Sequence, residues 1–222
     1  KTVSGLEWRP EGTEWGNYYE NTNYTDTAFK KKKDLVAGYI RKVKPRSVWD
    51  IGGNTGVFGR LASDAGIPTV CFDIDPVAVE VNYRETKKRN ETNMLPLVLD
   101  LVNPSPSLGW NCSERESIVQ RAPSDCLLAL ALVHHLAISN NLPFDLIAGF
   151  LQKMCKYLVI EFVPKEDSQV VKLLRTRPDI FNEYSKQNFE KVFGKYFVLQ
   201  DESLVDGSMR TLYLMKSRRG KK

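Results

Sequence analysis

Apolar positions along the chain follow two different periods. Phe29, Leu35, Val36, Tyr39, Ile40 and Val43 recur at helical spacing. That predicts a helix from Thr27 onward, with Asp26 as N-cap and Pro45 ending the segment. The run Lys30 to Lys33 then falls mainly on its solvent face. Past Pro45, short apolar runs at 47–51, 69–74, 94–101, 126–133 and 157–163 read as strands. A helix is expected over 56–65, closed by Gly66. Another has Asp75 as N-cap, Pro76 at its first position, and Val77, Val81 and Tyr83 turned inward. Residues 102–124 read as irregular, apart from a short helix near 114–121. Helices follow at 168–174 and 185–193, then strand-like runs at 196–199 and 210–215. Strand alternating with helix means parallel pairing through right-handed crossovers, and a terminal hairpin adds an antiparallel edge. The expected fold is therefore α/β, a doubly wound, mostly parallel sheet of seven strands.

Ahead of this unit, residues 1–26 form an extension in which Trp8, Trp15, Tyr18, Tyr19 and Tyr24 stand among five acidic residues without a regular period. The main domain is expected over 27–215 and a basic tail over 216–222. At 222 residues, with 42% apolar and 27% charged, the chain can bury a full core; collagenous, disulfide-scaffold and disordered classes are excluded. The net charge of +5 resides in the tail, where five basic residues lie, so the body is neutral and nucleic-acid binding gains no support. Cys71, Cys112, Cys126 and Cys155 are widely spaced and include no Cys-x-x-Cys pair. That spacing fits reduced cysteines in a cytoplasmic protein, and no metal site is expected. The longest apolar run, 126–133, is too short to span a bilayer, and the first thirty residues lack a signal-peptide pattern. The chain opens on Lys1, not Met, so a further N-terminal region is expected.

Candidate chemistry begins at Ser47-Val-Trp-Asp50-Ile-Gly52-Gly53-Asn54-Thr-Gly56-Val-Phe58. A strand ending in a carboxylate, then a glycine-rich turn, then a helix, lets a ligand approach the backbone closely. A dinucleotide fingerprint read from Gly52 needs glycine at 54 and 57, where Asn54 and Val57 stand, so a pyrophosphate ligand is disfavoured. Asp50 suits an ammonium group instead. Asp73, in Cys71-Phe-Asp73-Ile74-Asp75-Pro76, lies 23 residues further on, where a nucleoside ribose presents its hydroxyls. Asp100, in Leu97-Val-Leu-Asp100-Leu101, ends a third strand, where it can accept from an exocyclic amine or simply start a loop.

Three carboxylates at three consecutive strand ends, the first ahead of a Gly-x-x-x-Gly turn, resemble the class I S-adenosylmethionine-dependent methyltransferases, a Rossmann-like fold. WDIGGNTGVF, DIDP, ALVHHLAISNN and VIEFVPK look like the bacterial nodulation-protein-type subgroup. The resemblance implies S-adenosylmethionine as cofactor. Asp50, Gly52, Gly53, Asn54, Gly56 and Phe58 would hold its methionine portion, Asp73 and Ile74 the ribose, and Asp100 and Leu101 the adenine, with Leu132 and Val133 alongside.

The acceptor is approached through absences. No Asn/Asp-Pro-Pro-aromatic tetrad follows the fourth strand and no Pro-Cys dipeptide occurs, leaving direct displacement to an oxygen, nitrogen or carbon nucleophile. A small molecule or glycan is the favoured acceptor. His134 and His135 end the fourth strand, and Glu161 lies on the fifth; each is a candidate catalytic group with a structural alternative. His135, one residue farther beyond the strand end, is favoured as base, and His134 as structural. Trp15, Tyr18, Tyr19 and Tyr24 could form a lid over the site or cover the back of the domain. Two other functions fit less well: a nicotinamide-dependent oxidoreductase on a related fold, and a noncatalytic S-adenosylmethionine-binding module.

Overall fold

The computed structural model describes Trp8, Thr13 and residues 25–218. Trp15, Tyr18, Tyr19 and Tyr24 lie outside the described residues, as does the tail beyond Arg218. Helix α1, Asp26–Val43, is capped by Thr25, whose hydroxyl accepts from the Ala28 N–H, not by Asp26 as the sequence suggested. Strands follow at Val48–Ile51 (β1), Thr69–Asp73 (β2), Met94–Val98 (β3), Ser124–Ala129 (β4), Cys155–Phe162 (β5), Phe197–Leu204 (β6) and Thr211–Ser217 (β7). Between them lie α2 (Arg60–Ser63), α3 (Pro76–Lys88), α4 (Ile118–Arg121), α5 (Phe144–Met154), α6 (Ser168–Leu174) and α7 (Lys186–Tyr196).

The strands form one sheet in the order β3-β2-β1-β4-β5-β7-β6. The β1–β5 pairings are parallel, whereas β7 runs antiparallel to both β5 and β6. Alternate residues of β4 serve opposite faces, as a strand's period of two requires. Cys126 and Leu128 pack with Val36 and Ile40 of α1 and Ala62 of α2. Leu127 and Ala129 pack with Leu151 of α5 and Phe189 and Phe193 of α7. Cys71, Cys126 and Cys155 are buried free thiols and Cys112 is exposed.

Several sequence expectations need correction. Helix α2 is only one turn long, because turns occupy the residues before it. On α3, capped by Asp75 as expected, Val77 is buried but Val81 and Tyr83 are exposed; Ala78, Asn82 and Thr86 complete its inward face. Lys32 is turned fully inward, against the wet-face reading of the lysine run. Helix α5 went unrecognised although Phe144, Ile147, Ala148, Leu151 and Met154 repeat at helical spacing. The apolar run 126–133 is not one strand: β4 stops at Ala129, and a π-helical turn, His135–Ser139, soon follows.

Candidate functional site

The strand order reverses between β1 and β4. Open α/β sheets leave a crevice at that point, beyond the carboxyl ends of the strands. A cavity of about 350 Å³ lies here, within the range of small-ligand sites. Its walls include Asp50, Gly52, Gly53, Asn54 and Phe58 from the β1 end, Asp73 and Ile74 from β2, and Asp100 and Leu101 after β3. Leu132 and His135 line it from beyond β4. Gly56 and Val133 are not on the wall. Gly56 packs on Asn82, where a Cβ would come within 2.5 Å of the side-chain nitrogen, and Val133 is 1% exposed in the core.

The glycine-rich turn is shaped by contacts on both sides. At Gly53 a Cβ would come 2.5 Å from the Cys71 Sγ and 2.7 Å from the Asp50 carboxyl, so only glycine brings the backbone this close. Asn54 takes the left-handed conformation, φ 50°, that its short polar side chain tolerates. Its own N–H donates to the Asp73 Oδ2 at 2.8 Å, and its Oδ1 accepts from the Thr55 N–H. Arg60, buried behind the turn, donates to the Thr55 carbonyl at 2.6 Å and the Asn82 Oδ1 at 2.8 Å. This clamp fixes the turn against α3, and the sequence reading did not foresee it.

Each carboxylate has a distinct setting. Asp50 is 1% exposed, and burial pushes its pKa up to about 7; the nearby Asp73 adds to the rise, while the Gly59 N–H and Lys32 oppose it. Burial also raises the Asp73 pKa, against hydrogen bonds from the backbone of Asn54 and Asp75. Asp75 accepts from the Val77 N–H as the α3 cap and is absent from the cavity wall. Asp100 lies past the end of β3, and its Oδ1 accepts from the N–H groups of Val102 and Asn103. The loop-initiating role is therefore real, and Asp100 faces the cavity as well.

Across the cavity, His134 and His135 have ring centroids 4.1 Å apart but different surroundings. His134 is 1% exposed, and burial, helped by neighbouring positive groups, drives its pKa well below the usual histidine range. His135 faces the cavity with Ser139 and Asn140 from the same turn and Leu173 of α6. Arg177 ties these parts together by donating to the Ile138 carbonyl at 2.6 Å. Glu161 is not on the wall. It is fully buried, and its Oε2 accepts from the Lys32 Nζ and the Ala131 N–H, each at 2.7 Å. Ala131 is left-handed, φ 48°, a costly conformation for alanine that this carboxylate helps to hold. Phe29 and Lys32 of α1 complete the cavity, and sequence reasoning missed both. Lys32 was legible in part: it stands four residues after Ala28 and four before Val36, on the inward stripe.

No protein-family model matches the chain. It is 38% identical over 200 residues to nodulation protein NoeA of Rhizobium meliloti strain 1021, a match covering 90% of this chain and 42% of that protein. The chain thus spans less than half the length of this relative. Among solved structures, it is similar to the N-methyltransferase NodS from Bradyrhizobium japonicum WM9 (TM-score 0.62, 11% identity, 87% of this chain and 98% of NodS). It is also similar to the magnesium protoporphyrin IX methyltransferase ChlM from Synechocystis PCC 6803, solved with bound SAH (TM-score 0.61, 15% identity, 91% of this chain and 93% of ChlM). These likenesses establish the fold.

Proposed function

We propose that this chain, a class I methyltransferase by fold and of the NoeA nodulation-protein type by sequence, binds S-adenosylmethionine and transfers its methyl group by direct displacement. The observation that carries this reading is the meeting of Asp50, Asp73 and Asp100, from the ends of three adjacent parallel strands, on one cavity. A carboxylate partners the ammonium of an amino acid, accepts from two ribose hydroxyls and accepts from an adenine amine. The same three carboxylates would disfavour a pyrophosphate. The Asn54 N–H, which a phosphate would need, is spent on Asp73. Both features weigh against a nicotinamide-dependent oxidoreductase.

When bound, S-adenosylmethionine supplies a methyl group on a positively charged sulfur, already a good electrophile. The chain's residues then have three tasks. Asp50, Asp73 and Asp100 bind and orient. Phe29, Phe58, Leu132 and Leu136 wall the cavity with apolar surface that keeps out water. His135, on the cavity wall, would take up an acceptor proton, with His134 packed behind it as support. Rate enhancement then rests largely on alignment, with the base required where the acceptor must shed a proton.

The acceptor side combines His135, Ser139 and Asn140 with the apolar Leu136 and Leu173. Lys32 is the single lysine or arginine among the described lining residues. This wall suits a small molecule or glycan offering an oxygen or nitrogen, and gives a polyanion little to hold. Among the described residues, no helix is long and apolar enough to cross a membrane. A screen with methyl-labelled S-adenosylmethionine against small molecules, glycans, protein and RNA tests the reading: label should pass to a small hydroxyl- or amine-bearing acceptor. Tight cofactor binding with no transfer to any class would favour the noncatalytic module.

A further inference from the structure

We propose that Arg60, which is not on the cavity wall, is a positioning residue: through the Thr55 carbonyl it keeps the Asn54 N–H on Asp73, and so sets how tightly the nucleoside is held. This rests on the cofactor reading above. The turn is a segment that needs holding. Gly52, Asn54 and Gly56 take positive φ, at 68°, 50° and 79°, within five residues, and a conformation of this kind is unfavourable for a free chain.

Arg60 opens α2 just after the turn, and its guanidinium reaches three separate pieces of chain. Nη1 donates to the Thr55 carbonyl at 2.6 Å. Nη2 donates to the Asn82 Oδ1 at 2.8 Å and the Thr86 Oγ1 at 3.2 Å, both on α3. Nε and Nη2 also hold the two carboxylate oxygens of Glu91, ahead of β3, at 2.9 and 3.1 Å. Both side chains of this pair are buried. Burying an ion pair is a poor source of stability, because desolvation offsets much of the attraction. What the guanidinium supplies is geometry: a rigid planar fork can grip Glu91 and α3 and still aim one N–H at a single carbonyl. Asp73 accepts from the Asn54 N–H on Oδ2 and from the Asp75 N–H on Oδ1, so the turn and the start of α3 together orient this carboxylate. Arg60 ties those same two elements to each other, away from the ligand.

Arg60→Lys tests this, because it keeps a cation beside Glu91 and loses the fork. Three readouts are taken: thermal unfolding, calorimetry with S-adenosylhomocysteine, and amide hydrogen exchange of the ligand-free chain. The variant should unfold near the wild-type temperature yet bind S-adenosylhomocysteine about tenfold more weakly, as loss of one charged hydrogen bond implies. The Asn54 amide should exchange about tenfold faster, with those of Leu128 and Val159 in the sheet unchanged. Glu91→Gln, which leaves Arg60 in place and loosens its anchor, is measured beside it and should move affinity and Asn54 exchange the same way by a smaller factor; it carries the test if Arg60→Lys does not fold. Unchanged affinity, or unchanged Asn54 exchange, in a folded variant would overturn the assignment. Wild-type protein that binds no S-adenosylhomocysteine would overturn the cofactor reading itself, and this inference with it.

Discussion

The half of the cavity that we assign to the methyl donor is made of strand ends: Asp50, Asp73 and Asp100 close β1, β2 and β3 or follow them directly, and the parallel pairing of those strands brings the three carboxylates together. The facing half is assembled differently, from α1, the left-handed Ala131, the π-helical turn and α6, elements distant in sequence and joined by Glu161, Lys32 and Arg177. The donor half inherits its geometry from the sheet. The other half depends on a few buried polar contacts and is where acceptor choice would be set. A fold can thus keep one ligand while the opposite wall varies.

The sharpest way to break this comparison is at the histidines. His135→Ala should lower turnover by about a hundredfold or more with cofactor affinity changed less than about twofold, measured by labelled transfer and calorimetry. His134→Ala should act mainly on thermal stability, since it leaves a hole in the buried layer. An undiminished rate in the His135 variant would leave alignment as the sole source of catalysis.

The donor half is tested by contrasting two neighbouring aspartates. Asp73→Ala should weaken S-adenosylhomocysteine by about tenfold to a hundredfold, far more than Asp75→Ala does. Equal affinity in the two variants would place the ribose contact on the wrong residue.

A smaller effect comes from pH. Asp50 titrates near 7, because burial raises it. An ammonium ligand prefers the ionised form, so affinity should fall by up to about tenfold as pH drops to about 6, and level off well above 7. Asp50→Asn should flatten this profile; an unchanged profile would detach the ammonium from Asp50. For stability the sign is opposite. The folded chain holds a proton that the unfolded chain releases near the ordinary aspartate value of 3.8, so this group's contribution declines as pH rises from there toward about 7.

The smallest predicted change is the cap. Asp75→Ala should cost about 1 kcal/mol in denaturant unfolding, with cofactor affinity nearly intact.

What could be read from the sequence follows the same division. The carboxylates and the glycine turn sit on local patterns, since a strand end and a cap are properties of a few adjacent residues. Asp75 is an example: Pro76 after it marks the helix start without any tertiary knowledge. The strand reading of 126–133 holds to Ala129 and overruns beyond it, because an apolar run is buried whether it is strand or turn, and the left-handed Ala131 past the strand end is held by Glu161, thirty residues away. Lys32 was hidden by composition: within four consecutive lysines one must fall on the inward stripe, and the carboxylate that accepts it is on β5. Helix α5, by contrast, has a clear helical period in Phe144, Ile147, Ala148, Leu151 and Met154 and is legible from local pattern alone.

The central claim is that the cavity beyond β1 and β4 is built for a sulfonium nucleoside and not for a dinucleotide. Calorimetric titration of the wild-type chain with S-adenosylhomocysteine and, separately, with NAD tests it most directly. The account predicts saturable binding of S-adenosylhomocysteine, weakened in Asp73→Ala, and no heat from NAD. Tight NAD binding with no response to S-adenosylhomocysteine would contradict it.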